Sequence, residues 1–303
     1  WTVDGTAYQT NLVAAGGPPT AASVTFTAAF GAGSHSILVR VIDSTQCEAT
    51  CSTSIFVAQV EDPPFPPVSG CISVLQLGAA KVSITGPAGG ILGDVAISPK
   101  GIMSMTGDQY VSGTIMLGSG ATFANSSHGT AQVARNVDLS GEINNAYAMA
   151  AAAASMPCAQ SFAKLDGKTV TTIIGGPGVN VICVGDISLS GKKLTLLAPA
   201  GASFIINVRG KFVLTGGGQG PQIRVAGGLQ PQDVLYNIMG TGADVAFSGG
   251  GGGVNCCAAV VDGTVLAPLR KIALSPGLVN GAVISAKDIS IVSGASVRCP
   301  ASP

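Results

Sequence analysis

The residues best equipped for chemistry in this 303-residue sequence are eight cysteines, two histidines and a scatter of single aspartates. Cys47, Cys51, Cys71, Cys158, Cys183, Cys256, Cys257 and Cys299 form an even set, and none of their spacings makes the paired C-x-x-C of a zinc site. In a neutral, Gly-rich chain such a set points to disulfides formed in an oxidising compartment. Cys47 and Cys51 flank a four-residue step between two strands, which suggests a bond across a turn. Cys158 follows a helix and Cys183 precedes the first coil after it. A bond between them closes a loop of about 25 residues and stabilises by roughly 3 kcal/mol in the chain-entropy picture. Spacing leaves the partners of Cys71, Cys256, Cys257 and Cys299 open.

His35 and His128 stand far apart in Gly/Ser contexts and supply little material for acid–base or zinc chemistry. Polysaccharide-cleaving solenoids need paired carboxylates on one face, or a base beside a metal. Asp94, Asp166, Asp186, Asp233, Asp244, Asp262 and Asp288 instead sit mostly one at a time beside Gly or where strands begin, the pattern of turn chemistry. The runs Gly216-Gly217-Gly218 and Gly249 to Gly253 neither open a helix nor carry the Lys-Ser/Thr of a phosphate-binding loop. Asn125-Ser126-Ser127 is a formal glycosylation sequon. The expectation is no catalytic residue, no metal and no cofactor.

Fifteen basic and fifteen acidic side chains cancel, so the chain lacks the positive field that nucleic acid or an anionic membrane would require. Apolar residues make up 47% and mean hydropathy is +0.49, yet the apolar stretches are short and broken, well under the roughly 20 residues of a spanning helix. The chain opens at Trp1 without an initiator Met or a basic-then-apolar leader, and reads as a processed product or a piece of a longer chain.

The elements that carry these residues fall into two parts. Four prolines within residues 63–67 mark a semi-rigid linker, taken as 63–70. Before it, residues 1–62 alternate with period two at Ser23–Thr27, Ser36–Val41 and Ser52–Val57, a small all-β unit. After it, residues 71–303 show an internal repeat. Asp94–Pro99, Asp186–Gly191, Lys271–Pro276 and Asp288–Ser293 share a polar residue, two large aliphatics around a small one, then a turn. A second pattern interleaves at Gly113–Leu117, Gly263–Ala267 and Gly281–Ser285. Repeats of 17–18 residues, read as two short strands per coil, make a β-solenoid in which stacking supplies the core. Alternation puts Val95, Ile97, Ile187, Leu189, Ile272, Leu274, Ile289 and Ile291 inside and Ser188, Ala273 and Ser290 outside. From about 130 to 155 the spacing changes to helical, predicting one long helix weakened at Gly141 and packed along the coil stack.

Two resemblances follow from these residues. Trp1–Gly5, Gly33–Ser44 and the Cys47/Cys51 segment resemble a partial Ig-like β-sandwich of the polycystic-kidney-disease repeat type, begun at its Trp strand. Residues 72 to 299 resemble the ice-binding-protein-like family. The matching blocks are Leu77–Ala80, Gly93–Pro99, the helix with Asn144-Asn145-Ala146-Tyr147, Phe204–Val208, Val234–Ile238 and Gly263–Ala267 running to Val297. That resemblance implies a right-handed β-solenoid with a long flanking helix, and possible ice binding through a flat face of ranked Thr and small side chains. In the repeated coils Thr114, Thr195, Thr215 and Thr264 are scattered, and paired Thr-x-Thr ranks are absent.

The expected fold is therefore mainly β: a partial sandwich, then a solenoid with one helix. The expected function is a non-enzymatic structural or adhesive protein of the cell surface or extracellular space, with ice binding as the alternative and the ligand face unassigned. Cell-surface or matrix components are the other expected contacts, with no nucleic acid and no membrane insertion. A sandwich lacking its first strands leaves an open edge. Self-association by strand addition is then expected, with Phe26, Phe30, Ile37, Val39 and Val41 lining the completed core.

Overall fold

The structure, a computed structural model, describes residues 2–3, 6–7, 33–42, 47–57, 70–127, 129, 131–216, 220–250 and 258–299. The chain divides into two compact units, Trp1–Asp62 and Pro63–Pro303. The proline-rich stretch up to residue 69 lies outside the described residues, as do Phe26, Phe30, His128, Cys256 and Cys257.

In the first unit Gly33–Ile42 pairs antiparallel with Glu48–Val57 over their full length. Thr2–Val3 lies on the other side of Gly33–Ile42, with Thr6–Ala7 beyond it. Alternation holds: His35, Ile37 and Val39 are half-buried while Ser34, Ser36 and Leu38 face solvent. Val41, expected in the core, is 60% exposed near the hairpin end. The expected Cys47–Cys51 bond is not formed, and both residues are exposed. Cys51 lies within the second strand opposite Val39, and Cys47 immediately precedes that strand. Four residues of extended chain separate Cα atoms by about 13 Å, twice the reach of a disulfide.

The second unit is a β-solenoid of 23 parallel strands among the described residues. Each coil has three sides rather than the two expected. The missed side holds short strands such as Ala259–Asp262, Gly277–Asn280 and Ser296–Arg298, which point a single valine each (Val261, Val279, Val297) into the core. One large inward residue per strand leaves no alternation to read. Asp94–Ile97, grouped by sequence with Asp186–Gly191, lies on a different side from it: it pairs with Ile72–Gln76 and Thr114–Leu117.

The coils do not stack in chain order. The chain enters at Ile72–Gln76, in the middle of the stack, between Asp94–Ile97 and Val283–Ser285. It climbs to one end, formed by Thr122–Ser127 and Gln132–Arg135, and the helix Ser140–Ser155 carries it to the opposite end at Gln160–Leu165. The remaining coils return towards the middle, where Ser296–Arg298 closes against Lys81–Leu92. A helix of 16 residues is about 24 Å long, five coil spacings of about 4.8 Å. The helix begins ten residues later than its spacing suggested. Gln132–Arg135 forms instead the last strand of the end coil, because pairing with Thr114–Leu117 satisfies its backbone.

Inward residues form continuous columns. Ile187, Phe212, Val245, Ile272, Ile289, Val82 and Met103 succeed one another across neighbouring strands, all fully buried. Each such aliphatic contributes roughly 1.5–3 kcal/mol by leaving water. The adjacent column ends at Asn125, exposed on the end coil, whose Oδ1 accepts from the Ser127 amide at 2.9 Å. Phe212 packs against Tyr236 and Phe247 with ring centroids 5.1 and 4.9 Å apart. The Tyr236 hydroxyl donates to the Asp262 carbonyl at 3.1 Å, and burial, with the Asp262 charge adding to it, pushes its pKa well up. Gly263, at the coil corner, has φ +130°, and a Cβ there would stand 2.7 Å from the Tyr236 ring.

Candidate binding face

The three sides of the solenoid differ in what they present. Strands under the helix are buried on both faces: Ile72–Gln76 and Val234–Ile238 expose nothing. Their outward residues Leu75, Leu235, Leu266 and Ile284 pack with Ala146, Met149 and Ala153 of the helix. Spacings of three and four put those helical residues on one stripe. Asn207 and Asn237 are neighbours in register on this side. Asn237 Nδ2 donates to Asn207 Oδ1 at 2.8 Å and to the Ala150 carbonyl at 3.1 Å, and Asn207 Nδ2 donates to the Ala153 carbonyl at 2.6 Å. Ala153 is among the last residues of the helix, whose carbonyls have no intrahelical donor, so Asn207 also caps it.

The second side is flat and open. Neighbouring strands bring Ala124, Ser104, Ser83 and Ser290 into one outward rank, continued by Ala273, Ala246, Val213 and Ser188. Two residues further along the same strands, Ser126, Thr106, Thr85 and Val292 form a second rank, and Ser248, Thr215 and Ser190 belong to it lower in the stack. Strand spacing sets these side chains about 4.8 Å apart along a rank, and the pleat sets the ranks roughly 7 Å apart. Ser83 Oγ and Ser104 Oγ lie 3.4 Å apart, and Ser275 Oγ donates to Ser293 Oγ at the same distance. Neither rank contains a charged residue. Sequence reasoning saw single Ser and Ala here. The Ser-x-Thr pairs at 83–85 and 104–106 were the available signal, and they line up with Ser290 only because the stack ignores chain order.

The third side carries a buried carboxylate. Asp262 Oδ2 meets Arg224 Nε at 3.3 Å and accepts the Val225 amide at 3.1 Å, while Asn280 Nδ2 donates to Oδ1 at 2.7 Å. All its neighbours in that cluster serve the coil contacts. The other aspartates behave as turn and coil-to-coil acceptors: Asp94 for the Thr114 amide, Asp186 for Lys211, Asp288 for Lys81, Asp166 for Lys168 and Thr169. Those amide hydrogen bonds hold the Asp166 carboxyl below its ordinary pKa. Among the described residues no three of His, Cys, Asp and Glu gather where they could hold a metal. No helix among them is long and apolar enough to cross a membrane.

Two disulfides close the unit. Cys158 and Cys183 are joined, with Cα atoms 5.6 Å apart, pinning the segment after the helix to the next coil. Cys71 and Cys299, whose partners spacing left open, are joined with Cα atoms 5.5 Å apart across 228 residues.

The second unit is thus a disulfide-closed parallel solenoid with a flanking helix and one side whose outward ranks carry no charge. Residues 75–297 match the family model for the ice-binding-like adhesive domain, and the chain belongs to that family. Solved structures with a similar fold include an ice-binding protein from an Antarctic Flavobacteriaceae bacterium, 18% identical with a TM-score of 0.48, where the match covers 76% of this chain and 45% of that one. This chain thus spans under half of that protein's length. An ice-binding protein from an Antarctic biological consortium (12% identical, TM-score 0.45) and one from an Arctic yeast (15%, TM-score 0.45) are each covered over 92% of their length, against 76% and 77% of this chain. No curated protein matches the chain.

Proposed function

We propose that this chain is a non-enzymatic adhesive module of an extracellular or cell-surface protein, and that the flat side is its contact surface. The observation that carries the reading is one uncharged outward rank in register through eight strands, Ser or Ala at every place but Val213, with a shorter Ser/Thr/Val rank beside it. Small side chains in a fixed lattice let a solid or another flat surface approach closely, and they lose little rotamer freedom on contact. Ice is the second reading, favoured by the mixture of hydroxyl and methyl groups along the ranks, which can order a sheet of water. The test is retention of the fluorescently tagged chain on growing ice and on crystalline, uncharged polysaccharide, each compared with Ser290→Asp. Retention on either surface that falls at least tenfold in the variant supports the flat side. Retention on ice alone, with thermal hysteresis, selects the second reading, and no retention of the parent on any surface sinks both.

Self-association belongs to the same proposal. Among the described residues Glu48–Val57 is an outer strand of its sheet, ten residues long, and a second copy can pair along it. Sedimentation velocity should show oligomers that Val39→Asp or a proline at Thr53 disperses; a monomer at 100 μM or so, well above ordinary weak-association range, removes this part.

A further inference from the structure

We propose that the Cys71–Cys299 bond is a mechanical bypass: tension drawn along the chain crosses from residue 71 to residue 299 through the two sulfurs and leaves the coils between them unloaded. In a solenoid wound in chain order the two ends of the chain lie at opposite ends of the stack. A pull on them passes through every coil and strips the outermost first. Here the chain enters and leaves at one corner in the middle of the stack, Ile72–Gln76 pairing with Asp94–Ile97 and Ser296–Arg298 with Lys81–Leu92 of the same neighbouring coil. Cys71 carries the chain into Ile72–Gln76, which is flanked on both sides by paired strands. The Cys71 carbonyl accepts the Asp94 amide at 2.8 Å, and the Cys299 amide donates to the Leu92 carbonyl at 2.9 Å, so both cysteines are also tied to the same neighbouring coil. Their Cα atoms are 5.5 Å apart although 228 residues separate them.

The covalent link is therefore the shortest path for a load, and the entry point offers no free edge from which a coil could be peeled. The hidden length is large. An adhesive domain that transmits force while its binding face stays folded has an evident use for such a link, but the bypass stands whatever the flat side binds, and its test reads length rather than adhesion.

The test is to pull single molecules of the whole chain between handles fused to its two ends, without cysteine chemistry. As purified, the chain should release length only from the first unit and its linker. The Cys71→Ser, Cys299→Ser double variant keeps the Cys158–Cys183 bond, so it should release in addition 228 less 25 residues at about 3.6 Å each, roughly 730 Å. Circular dichroism establishes whether the variant folds. If it does not, dithiothreitol added to the folded parent should expose about 820 Å, since both bonds then open. A release from the oxidised parent of several hundred ångströms beyond the roughly 250 Å that residues 1–70 can supply overturns the proposal. So does failure to gain length in both the variant and the reduced parent, because the bond would then shield nothing.

Discussion

Arg270→Ala should cost the second unit about 3–5 kcal/mol, seen as a fall of roughly 10 °C in the melting midpoint of the whole chain. Arg270 is 2% exposed at the corner between the helix-covered and flat sides. Its guanidinium donates to main-chain carbonyls on two earlier coils: Arg209 and Gly210 on one, Met239, Gly240 and Ala243 on the next. Three coil levels are thus tied by one planar group that carries more donors than any other side chain. Charge-assisted hydrogen bonds of this kind are worth about 1.5–3 kcal/mol each. Water entering the vacated corner would satisfy some of the carbonyls, which keeps the total below the sum. Arg270→Lys should recover less than half the loss, because one ammonium cannot span the fork. A melting midpoint for Arg270→Ala within about 2 °C of the parent would show that the corner is held by other contacts.

Ile289→Asp should unfold the coils at the meeting point of the two half-stacks, while Ser290→Asp, one residue on, should leave the melt within about 1 kcal/mol of the parent. Ile289 is fully buried between Ile272 and Val82, so the new carboxylate would stand unpaired among aliphatics at a cost of several kcal/mol. Ser290 lies in the outward rank between Ala273 and Ser83, where a charge stays in water. The pair also separates stability from contact, since Ser290→Asp is the variant expected to abolish adhesion on a folded scaffold. Equal loss of cooperative unfolding in the two would contradict the observed register.

The inward columns were legible because Ile, Leu and Val alternate with small residues over four or five positions, enough to set a face. The third side of each coil was not, since a strand such as Gly277–Asn280 turns one valine inward and then ends. The helix was placed too early because Val133 and Val137 stand one helical turn apart, and only the neighbouring strand Thr114–Leu117 reveals that the first of them belongs to a sheet. The helix-tying asparagines left a trace: Ile206-Asn207-Val208 and Tyr236-Asn237-Ile238 repeat the same placement. Arg270 left none, as its partners are carbonyls that any residue could supply. The proposed contact side was hidden for a related reason. Its ranks are sums over strands that the sequence scatters, and Ser83 meets Ser290 only in the assembled stack.

That order of stacking has a kinetic consequence. Ile72–Gln76 leaves the ribosome with one side of its sheet partner missing, and that partner, Val283–Ser285, is made some two hundred residues later. Coils wound in chain order could nucleate anywhere and grow by neighbours. Here the two half-stacks must each form and then close on one another, a step dominated by contacts between residues some two hundred positions apart, which is the kind of topology that folds slowly. Until that closure the aliphatic rows of both halves end in open, hydrogen-bond-hungry edges. The proposed contact side is consequently built in two pieces, Ser83, Ser104 and Ala124 in one half-stack and Ser188 to Ser290 in the other, and becomes continuous only at that closure.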